Sequence, residues 1–238
     1  MKIEIWSDVM CPFCYIGKKH LEQALAQLSF ASEIELVWKS YQLNPNYHNT
    51  EGEDLYSYLS RSKGMSLAQV KQMTTQVVAM GQAAGIVLRF DTNIPANSFD
   101  AHRLLHLAAK FGKQNDAEEL LFYAHFTEGK DVAKHEVLLD LGVQIGLDRQ
   151  LVNTMLQSDE QADALRYDIY EAQQLGIRAV PFFLINKKYA LSGAQPVAAF
   201  VDALKQSYQE WSAEKNRSML KNMNLNDANS CEGDSCIF

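Results

Sequence analysis

Cys11 and Cys14 stand two residues apart, with Pro12 and Phe13 between them. Thiols at that spacing can close into a small disulfide and reopen as a substrate demands, so the pair is a candidate redox centre. The flanking pattern says what holds it. Lys2 to Trp6 alternates apolar and polar residues, with Ile3 and Ile5 on one side, as a strand does. From Tyr15 to Leu28 the spacing lengthens to helical intervals, Leu21, Leu25 and Leu28 recurring beside Ala24. Cys11 therefore sits at the mouth of a helix whose first turn holds Pro12, where a missing N–H costs nothing. The unpaired N–H groups and positive dipole end of a helix favour a thiolate over a thiol. Cysteines so placed have pKa values lowered from about 8.5 to roughly 3.5–7.5.

Position also assigns the roles. Cys11, at the first turn, is expected to be the more exposed sulfur and the nucleophile. Cys14, one turn further in, is placed to attack a mixed disulfide on Cys11 and release the product. The bland alternatives are two inert thiols or a structural zinc site. Zinc needs four ligands, and no His or Cys follows at the customary spacing, so no metal is expected.

The chain has 238 residues, 47% hydrophobic and 21% charged, the proportions of an ordinary globular protein. That length allows one enlarged domain or two small ones. A net charge of -7 argues against non-specific nucleic-acid binding, which wants a basic face. No apolar run approaches the roughly 18 residues that span a bilayer, so no membrane partner is expected. The N-terminus lacks the basic flank and apolar stretch of a secretory signal, which points to the cytoplasm. Reducing pools make structural disulfides rare there, so four cysteines in two close pairs suggest catalysis or sensing.

Ile34 to Lys39 alternates again and predicts a second strand, parallel to the first because a helix connects them. From Pro45 to about Gly176 strand-like alternation disappears. Helices are predicted near Asp54–Lys63, Ser66–Ala84, Ser98–Phe111, Asp116–Thr127, Lys134–Ile145, Asp148–Leu156 and Glu160–Leu175. Ser66, Ser98, Asp148 and Asp159 are candidate N-caps, and glycines sit just past several ends. Strand texture returns at Phe182–Ile185, followed by a turn at Asn186–Lys188 and an antiparallel partner at Tyr189–Leu191. After Pro196 a final amphipathic helix carries Val197, Phe200, Val201, Leu204, Tyr208 and Trp211 along one stripe. Beyond Ser212 the chain turns polar and Asn-rich, with weak docking of a helical turn or two expected around Met219–Leu225 and mobility in the last dozen residues.

This order of elements resembles the thioredoxin fold as elaborated in the DsbA family, and more closely its cytoplasmic FrnE-like branch. The residues that carry the likeness are Ser7–Gly17 around the dithiol, Gln42–Pro45, Ala101–Leu104, Gly176–Phe183 and Ser192–Pro196. It covers roughly residues 1 to 210. It implies an α/β thioredoxin-like fold with a large all-helical insertion between the second and third strands. The thioredoxin-like part is expected to be residues 1–45 and 177–211, the helical insertion 46–176, and a flexible C-terminal tail 212–238. The resemblance further implies a thiol-disulfide oxidoreductase in which the Val180–Pro181 bond is cis and lies against the dithiol. Such a bond turns the main chain of Val180 outward as a short edge on which an extended peptide can lie. Pro181 itself has no N–H and cannot ligate a metal, so it also shields the thiols from stray ions. Phe13, Val180 and Pro181 are therefore the expected substrate-binding residues. Phe13 departs from DsbA itself, where a His stands between the cysteines; an apolar ring adds no positive charge, so a less oxidising disulfide is expected. Phe13 can also serve as a sticky platform for unfolded clients.

Cys231 and Cys236 form a second pair near the C-terminus, with Gly233 and Asp234 favouring a turn between them. Some FrnE-like proteins are similar in carrying such a pair, which implies a secondary redox pair that relays electrons to the main dithiol. The alternatives are two exposed thiols on a disordered tail, or one zinc site built from all four cysteines. Other candidates are weaker. Asp8 reads as a turn residue before Cys11, with a role in proton transfer as the alternative. Lys18, Lys19 and His20 read as a solvated basic patch. His102 and His106 have a metal-compatible spacing but no obvious third ligand, and His125 and His135 carry no signal.

Three functions compete. The first is a cytoplasmic disulfide reductase or isomerase acting on disulfide-containing or unfolded proteins, active under oxidative stress and needing no cofactor beyond glutathione or a thioredoxin-type reductant. The second is a glutathione-dependent enzyme resembling 2-hydroxychromene-2-carboxylate isomerase or the kappa glutathione transferases, which share the fold but need no thiol at the position of Cys14. The third is a peptide-binding holdase using Phe13 and the Val180–Pro181 surface without turnover. Cys14 favours the first.

Overall fold

The computed structural model describes residues 1–48 and 52–228, with side-chain contacts as far as Arg217. Strand β1 (Lys2–Ser7) leads into helix α1 (Pro12–Leu25), and β2 (Glu35–Ser40) returns parallel to β1, pairing Ile5 with Trp38. Among the described residues, all regular elements between β2 and β3 are helical: α2 (Leu55–Lys63), α3 (Leu67–Ala83), α4 (Phe99–Ala109), α5 (Gln114–Phe122), α6 (His135–Gln144), α7 (Arg149–Leu156) and α8 (Ala162–Gln174). Strands β3 (Phe182–Ile185) and β4 (Tyr189–Ser192) then complete the sheet, and α9 (Val197–Ala228) follows. The strand order is β2-β1-β3-β4, with β3 antiparallel to both of its neighbours.

The alternation of β1 divides the molecule into layers. Ile3 and Ile5 face α1 and α9, packing with Leu21, Phe183, Phe200 and Leu204. Trp6 faces the opposite way, toward Ile16, Phe122 and Phe126, and its indole N–H donates to the Asp168 carbonyl at 3.1 Å. A separate core around Leu104, Leu121, Leu141 and Met155 holds α4 to α7 together, and Val9, two residues before Cys11, is buried in it. The approach to the dithiol is thus wedged between the sheet and the helical insertion.

Several local signals act as their chemistry dictates. Ser66 forms a reciprocal capping box with Gln69, and Asp148 accepts from the Leu151 N–H. Ser98 does not cap α4; its hydroxyl turns to Asp8 instead. Asp159 does not cap α8 either, because the chain enters that helix through Gln161 in the left-handed region, at φ 68°. The helix expected over 116–127 begins earlier and ends in a π turn, Tyr123–Thr127. That turn's Phe126 carbonyl accepts from the Arg89 N–H at 2.8 Å, and its His125 carbonyl accepts from the Asn93 side chain at 2.7 Å. Helix α9 runs well past Trp211, since neither Gly nor Pro interrupts residues 197–228. No helix among the described residues is long and apolar enough to cross a membrane.

Candidate active site

Cys11 is the N-cap of α1 and Pro12 its first helical residue, so the sulfur stands at the positive end of the helix, although its side chain accepts no capping hydrogen bond. The Cys14 and Tyr15 N–H groups both bond the Cys11 carbonyl, which fixes the turn between the two sulfurs. Both cysteines are thiols within hydrogen-bond reach of each other. Cys11 retains 4% exposure and Cys14 none. The expectation that Cys11 is the more exposed holds, although the sulfur is far more enclosed than a helix-mouth position suggests. Burial, and then the neighbouring Cys11 sulfur, push the Cys14 thiol well up, opposed by the Asp8 main chain and the Ser7 hydroxyl.

The cis Val180–Pro181 bond lies directly against this pair. The Cys11 thiol meets the Val180 carbonyl at 3.6 Å, while the Pro181 carbonyl accepts from the Gly193 N–H at 2.8 Å. Gly17 makes the approach feasible: a Cβ there would stand 3.0 Å from the Pro181 ring and 3.2 Å from Phe183. Phe13 is 38% exposed beside the dithiol. Leu43, 52% exposed, is an apolar residue that the sequence did not single out; its N–H donates to Asp8 at 2.6 Å, which ties its loop to the segment before Cys11.

Beneath the sulfurs lies a buried polar cluster. Asp8 accepts from the Met10 N–H as well as that of Leu43, the turn role expected of it, and also faces His102 Nε2 at 3.4 Å. Burial opposes charge on Asp8, but His102, the Leu43 N–H and the Ser98 hydroxyl together hold its carboxyl below the usual range. Burial likewise opposes charge on His102, and Asp8 outweighs it, so the imidazole is held up. His102 is thereby a buried ion-pair partner, and His106 contacts Asp168 and Ser40 at 3.1 and 3.0 Å. The two histidines do not converge on one point.

Lys18 is a correction. The solvated patch expected there is absent: Lys18 is 1% exposed and buried against Glu22 and Glu119, the latter at 2.7 Å. Glu119 also accepts from the Tyr15 hydroxyl at 2.9 Å and pairs with Lys19 at 2.7 Å. It comes from α5, so the helical insertion clamps the outer face of the dithiol helix. Tyr15 stacks on Phe122 of the same helix at 5.0 Å. Glu118, next along α5, reaches inward instead, where its Oε1 accepts from the Ser7 hydroxyl at 2.6 Å. Cys231 and Cys236 lie outside the described residues.

Residues 2–205 match the model of the DsbA-like thioredoxin domain. The chain belongs to this DsbA-like family. A solved relative, described as a probable DsbA oxidoreductase from Streptomyces coelicolor (SCO1869), shares 35% identity over 88% of this chain and 91% of its own, with a TM-score of 0.84. The uncharacterized protein YwbO of Bacillus subtilis is 27% identical over 77% of this chain and 86% of its own length. The cytosolic disulfide reductase DsbM of Pseudomonas aeruginosa, solved with GSH, shares the fold at 16% identity and a TM-score of 0.61, covering 88% of this chain and all of that one. The family of this DsbA-like protein accounts for the sheet order, the dithiol helix and the helical insertion together.

Proposed function

We propose that this protein is a cytoplasmic, FrnE-like thiol-disulfide oxidoreductase that reduces or isomerises disulfides in other proteins. The observation that carries the proposal is the inequality of the two sulfurs. Cys11 stands at the helix mouth against the Val180 carbonyl, whereas Cys14 is sealed and its thiol pushed up. In the first step Cys11 thiolate attacks a substrate disulfide, a Cys11–substrate bond forms, and one substrate sulfur leaves as a thiolate. In the second, Cys14 attacks Cys11, the internal disulfide forms, and the second substrate sulfur leaves. The substrate has gained two electrons and the dithiol has lost them. Glutathione or a thioredoxin-type dithiol restores the thiols; the solved complex of DsbM with GSH supports glutathione in that role.

Phe13, Val180 and Pro181 bind the client. Phe13 is exposed, whereas Val180 and Pro181 are buried, so a holdase activity on this surface would rest on the Phe13 ring. Cys231 and Cys236 act as a relay pair, and removing residues 226–238 should slow recovery of the dithiol. The central test is trapping. A Cys14→Ser variant should accumulate a mixed disulfide on Cys11, seen by mass spectrometry, while Cys11→Ser should accumulate none. Turnover of a small glutathione conjugate that survives Cys14→Ser would instead place the protein with the glutathione-dependent isomerases. Aggregation suppression that survives loss of both thiols would leave only the holdase.

A further inference from the structure

Cys14 has a proton to lose in a place water does not reach. It must be a thiolate to displace a substrate from Cys11, yet it is fully buried and its thiol is held up by that burial. Ser7, the last residue of β1, keeps its hydroxyl within hydrogen-bond reach of the Cys14 thiol. The same hydroxyl donates to Glu118 Oε1 at 2.6 Å. Glu118 is 1% exposed, and its second oxygen, Oε2, is buried with no hydrogen-bond partner among the described residues.

We propose that Glu118 is the proton acceptor for Cys14, working through the Ser7 hydroxyl, and that the helical insertion thereby takes part in the redox step. The idea rests on the oxidoreductase reading above. In the reduced protein Cys14 S–H donates to Ser7 Oγ, and Ser7 O–H donates to the Glu118 carboxylate. A concerted shift moves the Ser7 proton to Glu118 and the Cys14 proton to Ser7. The hydrogen bonds then run the other way: protonated Glu118 donates to Ser7, and Ser7 donates to the Cys14 thiolate. Cys14 attacks Cys11, the internal disulfide forms, and the substrate leaves as a thiolate. Glu118 stores the proton until the next reduction returns Cys14 as a thiolate, when the shift reverses. No proton crosses to bulk water on the Cys14 side.

The surroundings leave Glu118 as the acceptor. Asp8 has both oxygens occupied by main-chain N–H groups and by His102, which holds it ionised. Lys18 of α1 is committed to Glu22 and Glu119. His125, in the π turn, is pushed down to about 4 by burial, too weak a base to hold a proton near neutrality. Facing Glu118 are His102 from α4, Lys18 from α1 and Asp8 after β1; the first two draw its carboxyl down and Asp8 lifts it. Burial is the largest influence, and the carboxyl stands at about 7, matched to proton exchange near neutrality.

The test uses the full chain with glutathione loaded on Cys11, following release of glutathione by Cys14 from about pH 5 to about pH 9. The wild-type rate should show an inflection near 7, the value at which the Glu118 carboxyl stands. Glu118→Gln and Ser7→Ala should each abolish that inflection and slow release about ten- to hundredfold at neutral pH, converging on the wild-type rate as the pH rises. Infrared difference spectra of the wild type provide a readout independent of the variants. Oxidation should produce a protonated-carboxyl band that shifts on labelling glutamate with carbon-13. A folded Glu118→Gln with an unaltered profile, or a wild type without that band, overturns the relay alone. A wild type in which Cys14 never displaces glutathione overturns the oxidoreductase reading and the relay with it.

Discussion

Phe13 puts an uncharged ring where a positive group would steady the Cys11 thiolate. Phe13→His should therefore raise the reduction potential of the Cys11–Cys14 pair by at least about 30 mV, roughly 1.4 kcal/mol for two electrons. Equilibration with glutathione buffers measures it, and an unmoved or lower potential contradicts the argument. The dithiol and its proline were legible because their chemistry resides in residue type and close spacing, and the family resemblance joined two segments far apart in the chain. Glu118 and Lys18 were not legible. Ser7 and Glu118 are 111 residues apart, and no local pattern links them. A lysine one turn from a cysteine reads as solvated until Glu119, 101 residues away, is brought over it. Asp8 was legible as a turn residue, but not as the partner of a buried imidazole.

At the scale of elements, α1 and the proline loop meet at Gly17. Gly17→Ala should drive its new methyl into Pro181, held through its carbonyl by the Gly193 N–H, and into Phe183 of β3. We expect a loss of about 1–3 kcal/mol in urea unfolding, as for other overpacked contacts, together with slower disulfide exchange because Cys11 and Val180 are pushed apart. Unchanged stability would show that the loop yields freely. Helix positions in the insertion were well marked by periodicity and glycine punctuation. Their ends were less so: Ser98 was drawn away from its helix by Asp8, and the π turn owes its carbonyl partners to the segment 87–93. Such preferences belong to tertiary contacts and leave no trace in a local window.

For the molecule as a whole, two buried groups set opposite slopes of stability with pH. Glu118 titrates at about 7 when folded against 4.5 ordinarily, so the folded chain keeps a proton the unfolded chain has shed. Stability therefore falls as pH rises across that window, and the loss persists above it. His125, at about 4 when folded against 6.5, does the reverse, costing stability as pH drops through its window. Glu118→Gln should raise stability above pH 7 by on the order of 1–3 kcal/mol, with the gain vanishing below about pH 4.5. Thermal melts of both proteins across that range check it; a gain that did not depend on pH would point to packing instead.

The side chain of Gln114 has a different reach. Its amide accepts from the Trp38 N–H at 3.1 Å and donates to the Trp38 carbonyl at 2.9 Å, and Asp168 accepts from the Ser40 N–H at 2.9 Å. These groups stand in for the neighbour that β2, the outermost strand on its side, lacks. A second molecule meeting that rim finds the Trp38 N–H and carbonyl and the Ser40 N–H already taken, which disfavours zipping two sheets together along that end of β2. On the proposed function, in which unfolded chains are the clients, the protein is thereby guarded along part of one border against being templated by them.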